Sequence, residues 1–119
     1  MRSLTFLPPE LALQSISHRE IVLPLNAAIE AVDYFASKQI HILGWEGWIL
    51  AEDGRVGHGS APQGTTNLED LSPLDAAELC RQTIPIAARE WSRDHPDSTD
   101  RLHFCITILC EPVPKIART

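Results

Sequence analysis

Three groups of side chains in this sequence have the types and spacing to do chemistry. The first is built around Glu46, which sits in the apolar run Ile40–Leu50 with Trp45 and Trp48 on either side. If that run pairs with the segment after it, His41 and His58 come onto neighbouring strands near Glu46. Two imidazoles and a carboxylate would make a small acid–base or metal site. Against this, no two of the five histidines have a His-x-x-x-His spacing and no cysteine cluster joins them. Ordinary strand histidines are the plainer reading. The second group is His103 with Cys105 or Cys110, the only local pairing a covalent hydrolase could use, with His103 and Cys105 on one face of a strand. A cysteine turned inward in an apolar strand is usually inert packing. The third is Gly54-Arg55-Val56-Gly57-His58-Gly59-Ser60, glycine-rich enough to cradle a phosphate. It lacks a lysine and has no helix directly after it, and the acids around it repel phosphate, so a twisted hairpin accounts for it better.

A carboxylate in so apolar a run needs a partner, which makes Glu46 either hydrogen-bonded structure or function. Gly44 and Gly47 beside it admit a second backbone or a ligand at close range, or mark a bulge. Trp45 and Trp48 have opposite parity, so one should enter the core while the other faces out or lies under a loop. Tryptophan is strongly enriched in binding hot spots and is also a common core filler.

The elements that must hold these residues are legible from periodicity. Pro8-Pro9-Glu10 can open a short helix over Glu10–Ser15, and His18–Leu23 reads as extended up to Pro24. A helix is expected from Asn26, a good N-cap, to Lys38, with Leu25, Ala28, Ile29, Val32, Phe35 and Ala36 as its apolar stripe. Tyr34 lies opposite that stripe, as a surface aromatic or an interface residue. The tryptophan-rich strand follows, then an Asp53-Gly54 turn and a short, bulged partner strand over Arg55–Ser60. Ala61–Leu71 is a loop. Ser72-Pro73-Leu74-Asp75 is a capped helix start. Ala77, Cys80, Ile84, Ala87, Ala88 and Trp91 carry one face on to about Arg93, with a kink or restart expected at Pro85. Leu102–Cys110 alternates Leu102, Phe104, Ile106 and Ile108 onto one face and reads as a central strand. The expected fold class is α+β: an antiparallel sheet of three or more strands packed against two main helices, in one domain spanning residues 1–119. Ile29, Val32, Phe35, Ile42, Cys80, Ile84, Phe104, Ile106 and Ile108 are the expected core.

Composition excludes some classes of protein. With 44% hydrophobic residues, 22% charged residues and a mean hydropathy of -0.08, the chain matches neither a long disordered tract nor a membrane protein. No apolar run approaches the 20 or so residues that span a bilayer. The amino-terminal stretch is too poor in apolar residues for a signal peptide, so the expected location is the cytoplasm. Cys80, Cys105 and Cys110 are an odd set without Cys-x-x-Cys, as expected of buried thiols in a reducing compartment. The net charge is -6, and its placement matters more than its size. Residues 46–78 carry Glu46, Glu52, Asp53, Glu69, Asp70, Asp75 and Glu78 against Arg55 alone, so the whole excess lies in that segment. It repels nucleic acid and favours a basic partner, or it only aids solubility.

The succession of Ala27-Ala28-Ile29-Glu30-Ala31-Val32, Ile42-Leu43-Gly44-Trp45-Glu46-Gly47-Trp48, Asp53-Gly54-Arg55-Val56-Gly57-His58 and Phe104-Cys105-Ile106-Thr107-Ile108 resembles a family of small bacterial immunity proteins of polymorphic toxin systems, the group numbered forty. The resemblance spans about residues 24–110. It implies a non-catalytic cytoplasmic protein that binds a cognate toxin domain and needs no cofactor and no metal. The expected contact residues are Trp45, Glu46, Trp48, Glu52, Asp53, Glu69 and Asp70. A nuclease is the first expectation for the toxin, because an enzyme acting on nucleic acid is basic. The competing readings are a small ligand- or metal-binding, enzyme-like domain around Glu46, His41 and His58, and a homodimeric scaffold.

Overall fold

The computed structural model describes residues 3–65 and 67–109. A 3-10 turn over Ser3–Phe6 and a single helical turn, α1 (Pro9–Ala12), lead into a short strand, β1 (Ile21–Leu23). Helix α2 (Leu25–Ser37), strands β2 (Ile42–Leu50) and β3 (Val56–Gly57), a 3-10 turn at Leu68–Asp70, helix α3 (Pro73–Asp94) and strand β4 (Arg101–Ile108) follow. The strands form one antiparallel sheet in the order β1-β4-β2-β3. The structure is therefore the α+β arrangement expected, with β4 inside the sheet.

Cross-strand register divides the sheet into two faces. Trp45 stands opposite Ile106, Gly47 opposite Phe104 and Ile49 opposite Leu102. Trp45 meets Phe104 edge-to-face at 5.4 Å, and its indole N–H donates to Thr83 Oγ1 on α3 at 2.9 Å. This set therefore faces the helices. Phe35, Val32, Ile84 and Cys80 from α2 and α3 close over it, together with Ile42, Ile106 and Ile108, as one buried cluster. The alternate set, Glu46 opposite Cys105, Trp48 opposite His103 and Leu50 opposite Arg101, faces the other way. Ile29, placed in the core by its spacing, is only half-buried, because the buried stripe of α2 is centred on Ala27, Ala28, Ala31, Val32 and Phe35. Tyr34, expected at the surface, is half-buried as well. It packs against the cluster, edge-on to Phe35, with the Lys38 ammonium over its ring.

Local chemistry sets most of the boundaries. Ser72 Oγ accepts from the Asp75 amide at 3.0 Å and caps α3. Asn26 does not cap α2. The helix starts one residue earlier, where the Pro24 carbonyl accepts from the Ala28 amide at 2.8 Å, without a side-chain cap. Proline presets the extended entry, which leaves Asn26 in the first turn. Helix α3 runs through Pro85 as one element, so of the kink or restart expected there the restart does not occur. Proline removes only its own amide from the ladder. The helix is held on both sides of it, by Thr83 against Trp45 and by the Trp91 indole donating to Ser60 Oγ.

The Asp53-Gly54 turn is present, with Gly54 at φ +93°. Its partner strand is shorter than Arg55–Ser60, because only Val56 and Gly57 pair with β2. The chain then bulges through a turn closed by the Ala61 amide on the His58 carbonyl and returns to the same edge. There Gly47 donates to the Pro62 carbonyl, and Trp45 and Thr65 exchange both backbone bonds. Gly47 has no side chain because a Cβ there would lie 2.8 Å from Pro62. Gly64 has φ +84°, and a Cβ on it would collide with the Trp45 carbonyl oxygen. At the opposite edge, β1 is closed by the segment before it. Ser15 Oγ accepts from the Val22 amide, and the Ile16 amide donates to the Val22 carbonyl.

Candidate functional site

The sheet face turned away from α2 and α3 carries the polar residues of β2 and β4. Alternation places them there: every second residue of a strand shares a face, and the core claims the other set. Glu46 is therefore exposed. The premise that it is buried in an apolar run, and must be bonded by backbone amides or a base, does not hold. Among the described residues its one hydrogen bond is from the Trp48 indole N–H to Oε2, at 3.4 Å. Trp48 is half-buried and meets the His58 ring edge-on at 5.5 Å, while His58 Nδ1 lies 3.4 Å from the Gly47 carbonyl.

Glu46 stands between two grooves. On one side, a groove of about 380 Å³ is lined by Leu43, Gly44, Trp45, Glu46, Asn67, Glu69 and Thr107. A bulge at Leu43 opens the ladder there, since the register shifts between Ile42 and Gly44. Asn67 sits in the left-handed region at φ +61°, which asparagine tolerates. On the other side, a groove of about 250 Å³ is lined by Glu46, Gly47, His58, Pro62 and Gln63. Glu46 and His58 are thus brought together. His41 is not: its Nε2 donates to the Leu68 carbonyl at 2.8 Å. Among the described residues no group of His, Cys, Asp and Glu is arranged to hold a metal ion.

The His103–Cys105 pair shares this face, and both side chains are buried. Burial pushes the Cys105 thiol far above the ordinary range. The hydrogen bond from its sulfur to Glu20 Oε1 at 3.2 Å and the charges of Glu20 and Glu46 raise it further. Burial also holds His103 below the ordinary imidazole value. A protonated thiol beside a hard-to-protonate imidazole is not an activated nucleophile. Cys110 lies outside the described residues.

The expected contact residues do not form one patch. Trp45 is buried, with its indole bonded to Thr83, and it borders the larger groove. Glu46, Trp48 and Glu69 gather around the two grooves. Glu52 and Asp53 sit at the tip of the β2–β3 hairpin, about six strand residues or roughly 20 Å from Glu46, and Asp53 is already paired with Arg55 Nε at 2.7 Å. Asp70 is exposed at the end of the 3-10 turn. Sequence reasoning missed Glu20, Asn67 and Thr107. Glu20 shares parity with Val22, which faces Cys105, but only the register of β1 on β4 reveals that. Among the described residues no helix is long and apolar enough to cross a membrane. Compared with protein-family models, with curated proteins and with solved structures, the chain gives no significant match.

Proposed function

We propose that this protein is an immunity protein: it binds a cognate bacterial toxin domain in the cytoplasm of the producing cell and neutralises it without catalysis. The observation that carries this reading is the sheet face left uncovered by the helices, where a half-buried Trp48 stands beside exposed carboxylates. Half-buried tryptophans ringed by polar groups are typical anchors of protein interfaces. An acidic rim speeds encounter with a basic partner, such as a nuclease domain. The chemistry on the same face argues in the same direction, because its thiol is held protonated and bonded to Glu20.

The competing reading, a small-ligand or metal site around Glu46, His41 and His58, keeps only Glu46 and His58 in one groove. The test is coexpression with the toxin domain encoded by the neighbouring reading frame. Copurification as a stable complex and rescue of growth are expected, with Trp48→Ala weakening both. Failure of the wild-type chain to bind or to rescue would overturn the proposal. Saturable binding of zinc or a nucleotide by the purified chain would favour the competing reading.

A further inference from the structure

Each of the three tryptophans has its indole N–H bonded within the chain, and the bonds differ in what they join. Trp45 donates to Thr83 at 2.9 Å, which ties β2 to α3. Trp91 donates to Ser60 at 3.0 Å, which ties α3 to the loop after β3. Trp48 donates instead to Glu46 Oε2 at 3.4 Å, two residues back on its own strand. A bond between neighbours on one strand joins no two elements, and β2 is already held by its ladders to β3 and β4. What it constrains is the Trp48 side chain itself. A second contact constrains the same ring. His58 stands edge-on to the indole, with centroids 5.5 Å apart and planes at 75°, a favoured geometry for two aromatic rings. His58 Nδ1 in turn lies 3.4 Å from the carbonyl oxygen of Gly47, the residue between Glu46 and Trp48. Glu46 and His58 are both exposed, so core packing does not account for either side chain.

We infer that His58 and Glu46 are positioning residues, which fix the Trp48 indole in one orientation before the partner arrives. The inference rests on the proposed role of Trp48 as an interface anchor and gives His58 a part in it. An aromatic anchor immobilised in advance gives up less side-chain freedom on binding, so more of the area it buries appears as affinity. The indole N–H is already bonded to Glu46. The partner therefore meets the ring as an apolar surface and has no need to supply an acceptor, which makes an apolar pocket the fitting counterpart.

The order of the ring can be read on the free, isotopically labelled protein, from the heteronuclear Overhauser effect at each indole N–H, with Trp48→Phe identifying the Trp48 signal. The Trp48 indole should be as ordered as the β2 backbone. His58→Ala and Glu46→Ala should each loosen it, while the Trp45 indole and thermal melting stay as they are. His58→Phe keeps a ring edge and Glu46→Gln keeps an acceptor oxygen, so both should preserve the order. Against the toxin domain, His58→Ala should weaken binding about two- to tenfold, the effect of having to order one side chain on association, and His58→Phe should not. A Trp48 indole that is mobile in the parent, or equally ordered in both alanine variants, would overturn the inference. Unchanged toxin affinity in His58→Ala with a loosened ring would overturn it too, while leaving the immunity role standing. A parent chain that binds no toxin would overturn the proposed function, and the order of the indole would still be decided on the free protein.

Discussion

The two faces of the sheet use the same strands for different ends. Toward the helices, β2 and β4 present Trp45, Ile49, Phe104, Ile106 and Ile108, and a polar link to α3 is the Trp45–Thr83 bond. Toward the open side, the residues one step along present Glu46, Trp48, His103, Cys105 and Thr107. Each face has a tryptophan and a buried cysteine nearby, so residue type alone does not separate structure from function. Surroundings do. Trp45 is enclosed by rings and helices, whereas Trp48 is bounded by a carboxylate, an imidazole and solvent.

The largest expected contrast is between the tryptophans. Trp45→Ala should cost roughly 3–5 kcal/mol, because it removes buried area, leaves a cavity and orphans the Thr83 contact, and Phe104→Ala should cost a similar amount. Trp48→Ala should cost well under half of that. Chemical denaturation with an unchanged m-value measures all three. Equal costs for Trp45→Ala and Trp48→Ala would abolish the distinction between the faces.

The cysteines sharpen the comparison kinetically. Cys80, on the buried face of α3, is pushed up to about 11 by burial alone. That leaves about one thiolate in ten thousand at neutral pH. Cys105 is held still higher, by burial and then by its bond to Glu20. In a Cys110→Ser background, native protein should react with a disulfide reagent orders of magnitude more slowly than the unfolded chain. Glu20→Gln should speed only Cys105. Prompt reaction of Cys105 in the parent would mean that the open face is looser than its packing implies.

Much of this was legible in the sequence where the determinant is local. Ser72-Pro73, Asp53-Gly54 and the alternation of Leu102, Phe104, Ile106 and Ile108 each carry their own geometry, and the structure follows them. The opposite facing of Trp45 and Trp48 follows from parity alone. What was not legible depends on pairing between distant segments. Which parity of β2 meets the helices, the return of Pro62–Thr65 to the edge of β2, and the approach of Glu20 to Cys105 are fixed by long-range register, which no short window contains. Glu46 is exposed for the same reason: a run that is apolar in sequence has one wet face in space. At Asn26 the local capping rule is overridden by a neighbouring proline, and at Pro85 the helix continues without restarting.

His103 gives a smaller effect, whose sign follows from burial. Its ring is held neutral, below its ordinary 6.5. Between the folded-state value and 6.5 the unfolded chain therefore binds more protons than the native one. Stability is then full above about pH 6.5, declines as the pH falls through that value, and levels off once the folded-state value is passed. Replacing His103 with phenylalanine should flatten this part of the pH–stability curve relative to the parent. A curve of unchanged slope would place the acid sensitivity in other groups.

The smallest expected effect on stability, at Glu46, is the most informative for function. Its side chain is exposed, and among the described residues its only bond is a long one, 3.4 Å, from an indole N–H to a carboxylate. Such a contact is worth little against solvent, and substitutions at exposed positions away from caps and turns usually stay within about 0.5 kcal/mol. Glutamine keeps an acceptor oxygen for the Trp48 indole, so Glu46→Gln should leave thermal melting nearly unchanged. The same change removes the negative charge between the two grooves, which an interface with a basic partner would register as slower association and faster release, more so at low salt. A fall in stability of more than about 1 kcal/mol, with partner binding intact, would make Glu46 a structural residue of the hairpin. The uncovered face would then lose the feature that most distinguishes it from the core face. Unchanged melting with weakened binding would place the two roles where the strand's alternation puts them, structure at Trp45 and recognition one residue later.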